Sequence, residues 1–179
     1  YKKPYQLEET ENANILQRTE ILSKISHKSS PGEIIVSYPE ALAEKVINKK
    51  ALDRNTFTVK TGDEVDLDFL LEYLIEYDFE KTDFVFEAGQ FAIRGGIVDI
   101  YSFGNDLPFR IELFGNEVDS IRTFDPETQL SVAKFKTINI IPNVQTKLWE
   151  EERQSLFEFL PRNTKIWVKD YELMLNVVD

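Results

Sequence analysis

The sequence contains no cysteine and only one histidine among its 179 residues. Without cysteine there can be no disulfide framework, so a reducing compartment, the cytoplasm, is expected. The single histidine, His27, lies in the polar loop SHKSSPG. With no second histidine and no cysteine near it, both a zinc site and a nucleophile–histidine–acid triad are disfavoured.

The sequence also lacks the signals of several other classes of protein. No apolar stretch reaches the roughly 18–20 residues that a membrane-spanning helix needs, and no signal peptide is recognisable. None of the seven glycines lies in a GxxxxGK[ST] phosphate loop. No catalytic residue, cofactor or metal site is therefore predicted. The chain opens YKKPYQ, without methionine, which leads us to expect a fragment of a longer protein.

Acidic residues dominate the middle of the chain. The net charge is −11 overall. Residues 63–130 hold 17 acidic side chains against four basic ones, a net charge of −13. The four basic residues are Lys81, Arg94, Arg110 and Arg122. Because a phosphate backbone is bound by clustered lysine and arginine, direct nucleic-acid binding by this segment is not expected.

Residues 89–129 predict a meander of antiparallel strands. In FRIELF, residues 109–114, apolar side chains alternate with Arg110, Glu112 and Phe114, so the two sets lie on opposite faces of a strand. Gly115-Asn116 predicts a tight turn before a returning strand over 117–124. Upstream, Gly95-Gly96 separates two further strands, and a turn or bulge is expected at this glycine pair.

Three parts are predicted along the chain, at residues 1–54, 55–143 and 144–179. The first is expected to contain helices over 7–25 and 39–48 and a strand over 33–37. The second begins with a strand over 56–60 and a helix over 66–77, and ends with a strand over 136–141. The third is expected to contain a helix over 147–160, a strand over 165–168 and a helical end.

Two motifs suggest chemistry but also have simpler interpretations. Asp63-Glu64-Val65-Asp66 has the letters of a helicase metal-binding box, which requires a preceding apolar strand and a phosphate loop. A turn followed by a helix cap at Asp66 is the preferred interpretation. The many carboxylates also leave a carboxylate-based hydrolase open. That reading requires two of Asp99, Glu112 and Asp119 to converge in a cleft.

Arg94, Arg110 and Phe114 form a local exception within the acidic segment. One interpretation is structural: the arginines pair with Glu112 or Asp99, and Phe114 covers a sheet edge. The other is a docking surface, because arginine and large aromatic residues are enriched at binding hot spots. The residues alone leave both interpretations open.

The stretch FAIRGGIVDIYSFGNDLPFRIELFGNEVDSIRTFDPETQ resembles the UvrB-homology module of bacterial transcription-repair coupling factors, and more distantly UvrB. The resemblance is strong over residues 53–143, collinear over 7–52 and faint beyond 143. It implies that Arg94, Arg110 (in LPFR) and Phe114 bind the repair protein UvrA. Lys81 stands where UvrB has a further interface arginine, so that contact is in doubt. Glu112 and Asp99 are additional interface candidates.

The resemblance also implies an α+β fold, with an antiparallel sheet domain and a packed helix at 55–143. Residues 1–54 and 144–179 would be remnants of a helicase-like α/β domain. The implied function is recruitment of UvrA to stalled RNA polymerase in the bacterial cytoplasm. Contacts with RNA polymerase and DNA, and the ATP and Mg²⁺ of a translocase, would belong to other domains of the parent protein. The alternatives are a piece of UvrB itself or the hydrolase domain.

Overall fold

The computed structural model describes residues 17–26, 34–143 and 153–178. They divide into two compact units. The first contains Asn55–Asn143 and the described residues up to Ile21, and the second contains the described residues of Leu22–Arg54 and 153–178. His27 and parts of the predicted helices over 7–25 and 147–160 lie outside the described residues. The assignment of the three predicted parts to UvrB-like domains stays a prediction.

The described elements are named here in chain order. They are the helix α1 over residues 17–26, α2 (Pro39–Ala43), β1 (Val46–Ile47), α3 (Lys49–Arg54), β2 (Phe57–Lys60), α4 (Leu67–Glu76), β3 (Glu80–Lys81), β4 (Gln90–Arg94), β5 (Ile97–Ile100), β6 (Phe109–Phe114), β7 (Glu117–Phe124), β8 (Ser131–Phe135), β9 (Thr137–Ile140), β10 (Arg153–Gln154), α5 (Leu156–Phe159) and α6 (Tyr171–Val178).

A six-stranded sheet dominates the first unit. Its strand order is β3-β4-β5-β6-β7-β8, and every neighbouring pair is antiparallel except β3 and β4. Strands β2 and β9 form a separate antiparallel pair. The combination of helices with largely antiparallel sheets confirms the α+β class.

The strand pattern in the sequence accounts for the centre of this sheet. In β6, Phe109 and Ile111 are buried, whereas Arg110 and Glu112 lie half-buried on the other face. Gly115, at φ +63°, makes the turn into β7, which is the conformation that glycine adopts without strain. The predicted return over 117–124 is confirmed. A register shift after Glu112 places a bulge opposite the end of β6.

Helix α4 closes the core over one face of the sheet. The Asp66 carboxylate accepts hydrogen bonds from the Asp68 and Phe69 backbone N–H groups, so the predicted helix cap is confirmed. Leu70 and Leu74 belong to the same buried cluster as the apolar residues of the sheet. That cluster includes Phe91, Val98, Ile100, Phe109, Ile111, Val118 and Ile121. The opposite face of the sheet is therefore free to carry polar groups.

Two strands of the first unit do not follow the predicted pattern. Strand β3 has only two residues and follows the helix predicted over 66–77, at a place where no strand is predicted. Strand β8 has no counterpart among the predicted elements. All five of its residues are exposed, so it lacks the alternation of buried and exposed positions by which strands are recognised.

Several predictions for the second unit are wrong. The helix predicted over 39–48 ends at Ala43, and the buried pair Val46–Ile47 forms β1 against β10. Residues 34–37 and 165–168 form no strand. In the described part of the helix predicted over 147–160, residues 153–154 form β10 instead, and α5 begins only after Ser155, whose side chain makes a capping box with Glu158. The helical end is confirmed as α6. No helix in the described ranges is long and apolar enough to cross a membrane.

Candidate functional site

The polar face of the six-stranded sheet gathers its charged groups across neighbouring strands. Asp99 on β5 stands directly opposite Arg110 on β6, and Arg110 stands opposite Arg122 on β7. Arg94, at the end of β4, is opposite Ile97, two residues before Asp99. Since alternate residues of a strand share a face, these side chains occupy the same side of the sheet.

One carboxylate, that of Asp99, binds both arginines that the sequence analysis singled out, Arg94 and Arg110. Arg110 Nε donates to Asp99 Oδ1 at 2.7 Å, and Arg110 Nη2 donates to Asp99 Oδ2 at 2.8 Å. Arg94 Nη2 donates to the same Oδ2 at 2.5 Å. Both carboxylate oxygens are therefore engaged, and the two guanidinium groups share a single negative charge. Charge-assisted bonds of this kind are the strong ones among hydrogen bonds.

Each guanidinium is also supported from a second side. Arg94 Nη1 donates to the Asp83 carbonyl oxygen at 2.6 Å, and its guanidinium carbon lies 4.9 Å from the ring centre of Phe84. Arg110 Nη2 donates to Gln129 Oε1 at 2.7 Å, and its guanidinium carbon lies 4.1 Å from the ring centre of Phe124. Stacking on an aromatic face suits the planar, weakly hydrated guanidinium.

Burial separates the members of this cluster. The side chain of Asp99 is 1% exposed, that of Arg110 11% and that of Arg94 33%. Asp99 is thus sealed beneath the two arginines, and Arg94 presents most of the accessible positive charge. The hydrogen bonds to Asp99 stabilise the charged form and raise the pKa of Arg110 above its usual range.

A second carboxylate lies two residues further along β6. Glu112 Oε1 accepts a hydrogen bond from Arg122 Nη2 at 2.6 Å, and Glu112 Oε2 accepts one from the Ser120 hydroxyl at 2.6 Å. These two bonds lower the pKa of Glu112 to about 2, and the bond from Arg122 has the larger effect. Glu112 is 33% exposed, so this pair is open to solvent on one side.

Phe114 ends β6 on the same face as Arg110 and Glu112. Its side chain is 84% exposed. It lies four positions along the strand from Arg110, a distance of about 13 Å at the usual rise per residue. An aromatic ring held in water at a strand end, on the same face as a positive cluster, is typical of a binding anchor and contributes little to the fold.

The structure sorts the predicted site residues into different roles. Arg94 and Arg110 are brought together through Asp99, as the structural interpretation expected, and Arg110 is less exposed than the sequence suggested. Asp99 lies almost fully buried beneath the two arginines, and Glu112 is engaged with Arg122. Lys81 is exposed on β3, beside β4. Their part in binding stays a prediction.

The hydrolase alternative finds little support in this arrangement. Asp99 and Glu112 belong to separate arginine pairs, whereas Asp119 is exposed beside the bulge. Across the described ranges, no three histidine, cysteine, aspartate or glutamate side chains are grouped as a metal site would need.

Sequence reasoning missed several contributors to the site. Phe84 and Phe86 lie half-exposed in the loop before β4, and their alternation within the acidic segment TDFVFE could have drawn attention to them. Gln129, at φ +61°, turns back to Arg110 from the β7–β8 connection. No sequence signal indicates that contact, because it depends on how a turn folds over the sheet.

Comparison with known proteins places this geometry in a family. The profile of the UvrB interaction domain matches residues 57–145. The transcription-repair-coupling factor of Bacillus subtilis is 32% identical over 142 residues, covering 79% of this chain and 12% of that protein. The Haemophilus influenzae and Escherichia coli proteins of the same name are 31% identical over 122 residues and 28% identical over 109 residues.

These alignments leave most of each relative unmatched. The chain spans 10–12% of the length of the three relatives just described. The matched family segment includes all six strands of the large sheet, α4 and the β2–β9 pair. Residues 57–145 therefore belong to the UvrB interaction domain family, and the chain that carries them is similar over much of its length to bacterial transcription-repair-coupling factors.

Proposed function

We propose that this chain is a non-catalytic docking module that binds the repair protein UvrA through the polar face of its six-stranded sheet. The observation that carries the proposal is the grouping of Arg94 and Arg110 on one buried carboxylate, with Phe114 standing exposed on the same face. The match of residues 57–145 to an interaction-domain family supports it.

The chemistry of this surface suits a protein partner. A positive pair and an aromatic anchor about 13 Å apart fit a protein surface that offers a carboxylate and an apolar pocket at matching spacing. Arginine and aromatic anchors of this type dominate the free energy of binding at protein interfaces. The surface lies within a strongly acidic segment, so a nucleic acid is a poor match for it.

Replacement of Phe114 by alanine tests the proposal directly. Because the ring is exposed in the free chain, Phe114→Ala should leave the thermal unfolding midpoint unchanged. It should weaken UvrA binding by about 2–4 kcal/mol, the usual cost of truncating a hot-spot residue. Isothermal titration calorimetry with purified UvrA measures this change.

A matched control is available on the other layer of the same unit. Phe69 is also an exposed phenylalanine, 58% accessible, but it lies on α4. Phe69→Ala should bind UvrA as the parent chain does. If Phe114→Ala binds UvrA with the affinity of the parent chain, the docking assignment is wrong.

The wider role follows from the relatives. We infer that the module recruits UvrA to stalled RNA polymerase during transcription-coupled repair in the bacterial cytoplasm, as part of a longer ATP-dependent DNA translocase. Contacts with RNA polymerase and DNA, and the ATP and Mg²⁺ sites, would then lie in the part of such a protein outside this chain. The segment itself is proposed to bind no nucleotide or metal.

A further inference from the structure

We propose that Asp99 is a positioning residue: it does not touch the partner, but it fixes Arg94 and Arg110 in the orientation in which they bind it. The inference rests on the proposed function, which it deepens. It assigns a role to the most deeply buried charged group of the polar face, whose side chain is 1% exposed.

The geometry of the three side chains supports this role. Asp99 binds Arg110 side-on through Nε and Nη2, and it binds Arg94 through a single Nη2. Two long, flexible side chains from two different strands are thereby joined to one short, rigid one on the strand between them. The fork of Arg110 cannot rotate without losing two charge-assisted bonds at once.

The cluster has a net positive charge, which lies on its solvent-exposed side. One carboxylate between two guanidinium groups leaves one positive charge uncompensated, and the aromatic rings of Phe84 and Phe124 that stack on the guanidiniums carry no charge. The surplus appears at Arg94, the more exposed arginine. A partner carboxylate can then pair with an arginine that is already ordered, and ordering side chains is one of the main costs of association.

A purely structural role makes a different prediction. If Asp99 only stabilised the sheet, its removal would lower the melting temperature and leave the affinity of the folded chain intact. If Asp99 competed with the partner for the arginines, its removal would strengthen binding. Positioning alone predicts weaker binding that depends on the presence of both arginines.

The test compares Asp99→Asn with Val98→Ala in the 179-residue chain. Val98 is the neighbouring residue on β5, and its side chain lies in the core on the opposite face. Both variants should lower stability, so UvrA binding is measured well below both melting temperatures. Asp99→Asn should bind UvrA about tenfold more weakly, and Val98→Ala should bind as the parent chain does.

A double-variant background shows whether the effect passes through the arginines. With Arg94→Ala and Arg110→Ala already present, the further change Asp99→Asn should not weaken the residual affinity any more. Unchanged or tighter binding by Asp99→Asn alone would overturn the proposal. The proposal would also be overturned if Asp99→Asn weakened binding tenfold in the variant that lacks both arginines.

A measurement on the unaltered chain keeps the proposal testable if Asp99→Asn does not fold. In ¹⁵N NMR spectra, the Arg110 Nε–H held by Asp99 should exchange slowly with water and should keep its shift when UvrA binds. Fast exchange in the free chain would overturn the positioning role. If the parent chain does not bind UvrA at all, the proposed function fails, and this exchange rate still shows whether Asp99 holds the arginine.

Discussion

Two carboxylates on the polar face of the sheet are both paired with arginine, but they differ in burial and in charge balance. Asp99 is sealed from solvent and holds two arginines, whereas Glu112 is one-third exposed and holds one arginine and a serine hydroxyl. The Asp99 cluster carries a positive surplus, and the Glu112 cluster is neutral. The two centres lie on adjacent strands, on one face of one sheet.

The difference shows how burial changes the consequence of the same kind of contact. An exposed ion pair adds little to stability because water solvates both partners nearly as well when they separate. A buried carboxylate has no such alternative, so the loss of one of its arginines leaves a buried charge that is only partly compensated. Loss of an arginine from the Asp99 cluster should therefore lower stability more than loss of the arginine from the Glu112 cluster.

The largest expected effect is on stability. Arg110→Ala removes two of the three hydrogen bonds to buried Asp99 and should lower the free energy of unfolding by about 3 kcal/mol. Arg122→Ala removes the partner of the more exposed Glu112 and should lower it by about 1 kcal/mol or less. Urea denaturation measures both values.

From the strand pattern alone, a substitution of Arg110 would be expected to spare the fold. Alternation correctly places Arg110 away from the apolar core, but it does not reveal the cluster that buries the side chain on the other face. Equal losses from the two substitutions would show that burial does not distinguish the two centres.

A smaller effect should appear at low pH through Glu112. Its pKa is lowered to about 2 in the folded chain, from 4.5 for the unperturbed group. A lowered folded-state pKa gives stability that is fully present above pH 4.5 and is lost as the pH falls toward 2. Glu112→Gln should therefore flatten the decline of the melting temperature between these pH values.

Ser120→Ala serves as the companion to that measurement. It removes the hydroxyl that donates to Glu112 and helps to lower its pKa, and it leaves Arg122 in place, so it should flatten the same decline only in part. A pH profile that is identical in the parent chain and in Glu112→Gln would contradict the assignment of this acid-sensitive stability to Glu112.

The smallest expected effect is on DNA binding, where we expect none. The surplus charge of the Asp99 cluster is a single unit within a segment of net charge −13. Fluorescence anisotropy with a labelled duplex at physiological salt should show no saturable binding by the parent chain. Submicromolar affinity would favour the UvrB alternative, in which this sheet also contacts DNA.

The sequence predicted the central part of the fold well because the signals there are local. Alternating side chains in β6, the Gly115-Asn116 turn and the Asp66 cap each depend on a few consecutive residues, and all three appear as predicted. Predictions failed where a strand has no alternating pattern of its own. β1 has only two residues and pairs with β10 across more than a hundred residues, and all five residues of β8 are exposed.

The same division holds for the candidate site. The sequence by itself determined that Arg94, Arg110 and Phe114 share one face of an antiparallel sheet, because the two-residue period of a strand fixes which way each side chain points. The tertiary structure decided which groups they meet: a buried Asp99 beneath both arginines, Gln129 from a later turn, and Phe84 from the preceding loop. Burial and charge pairing depend on strand register and loop placement, which no local pattern specifies.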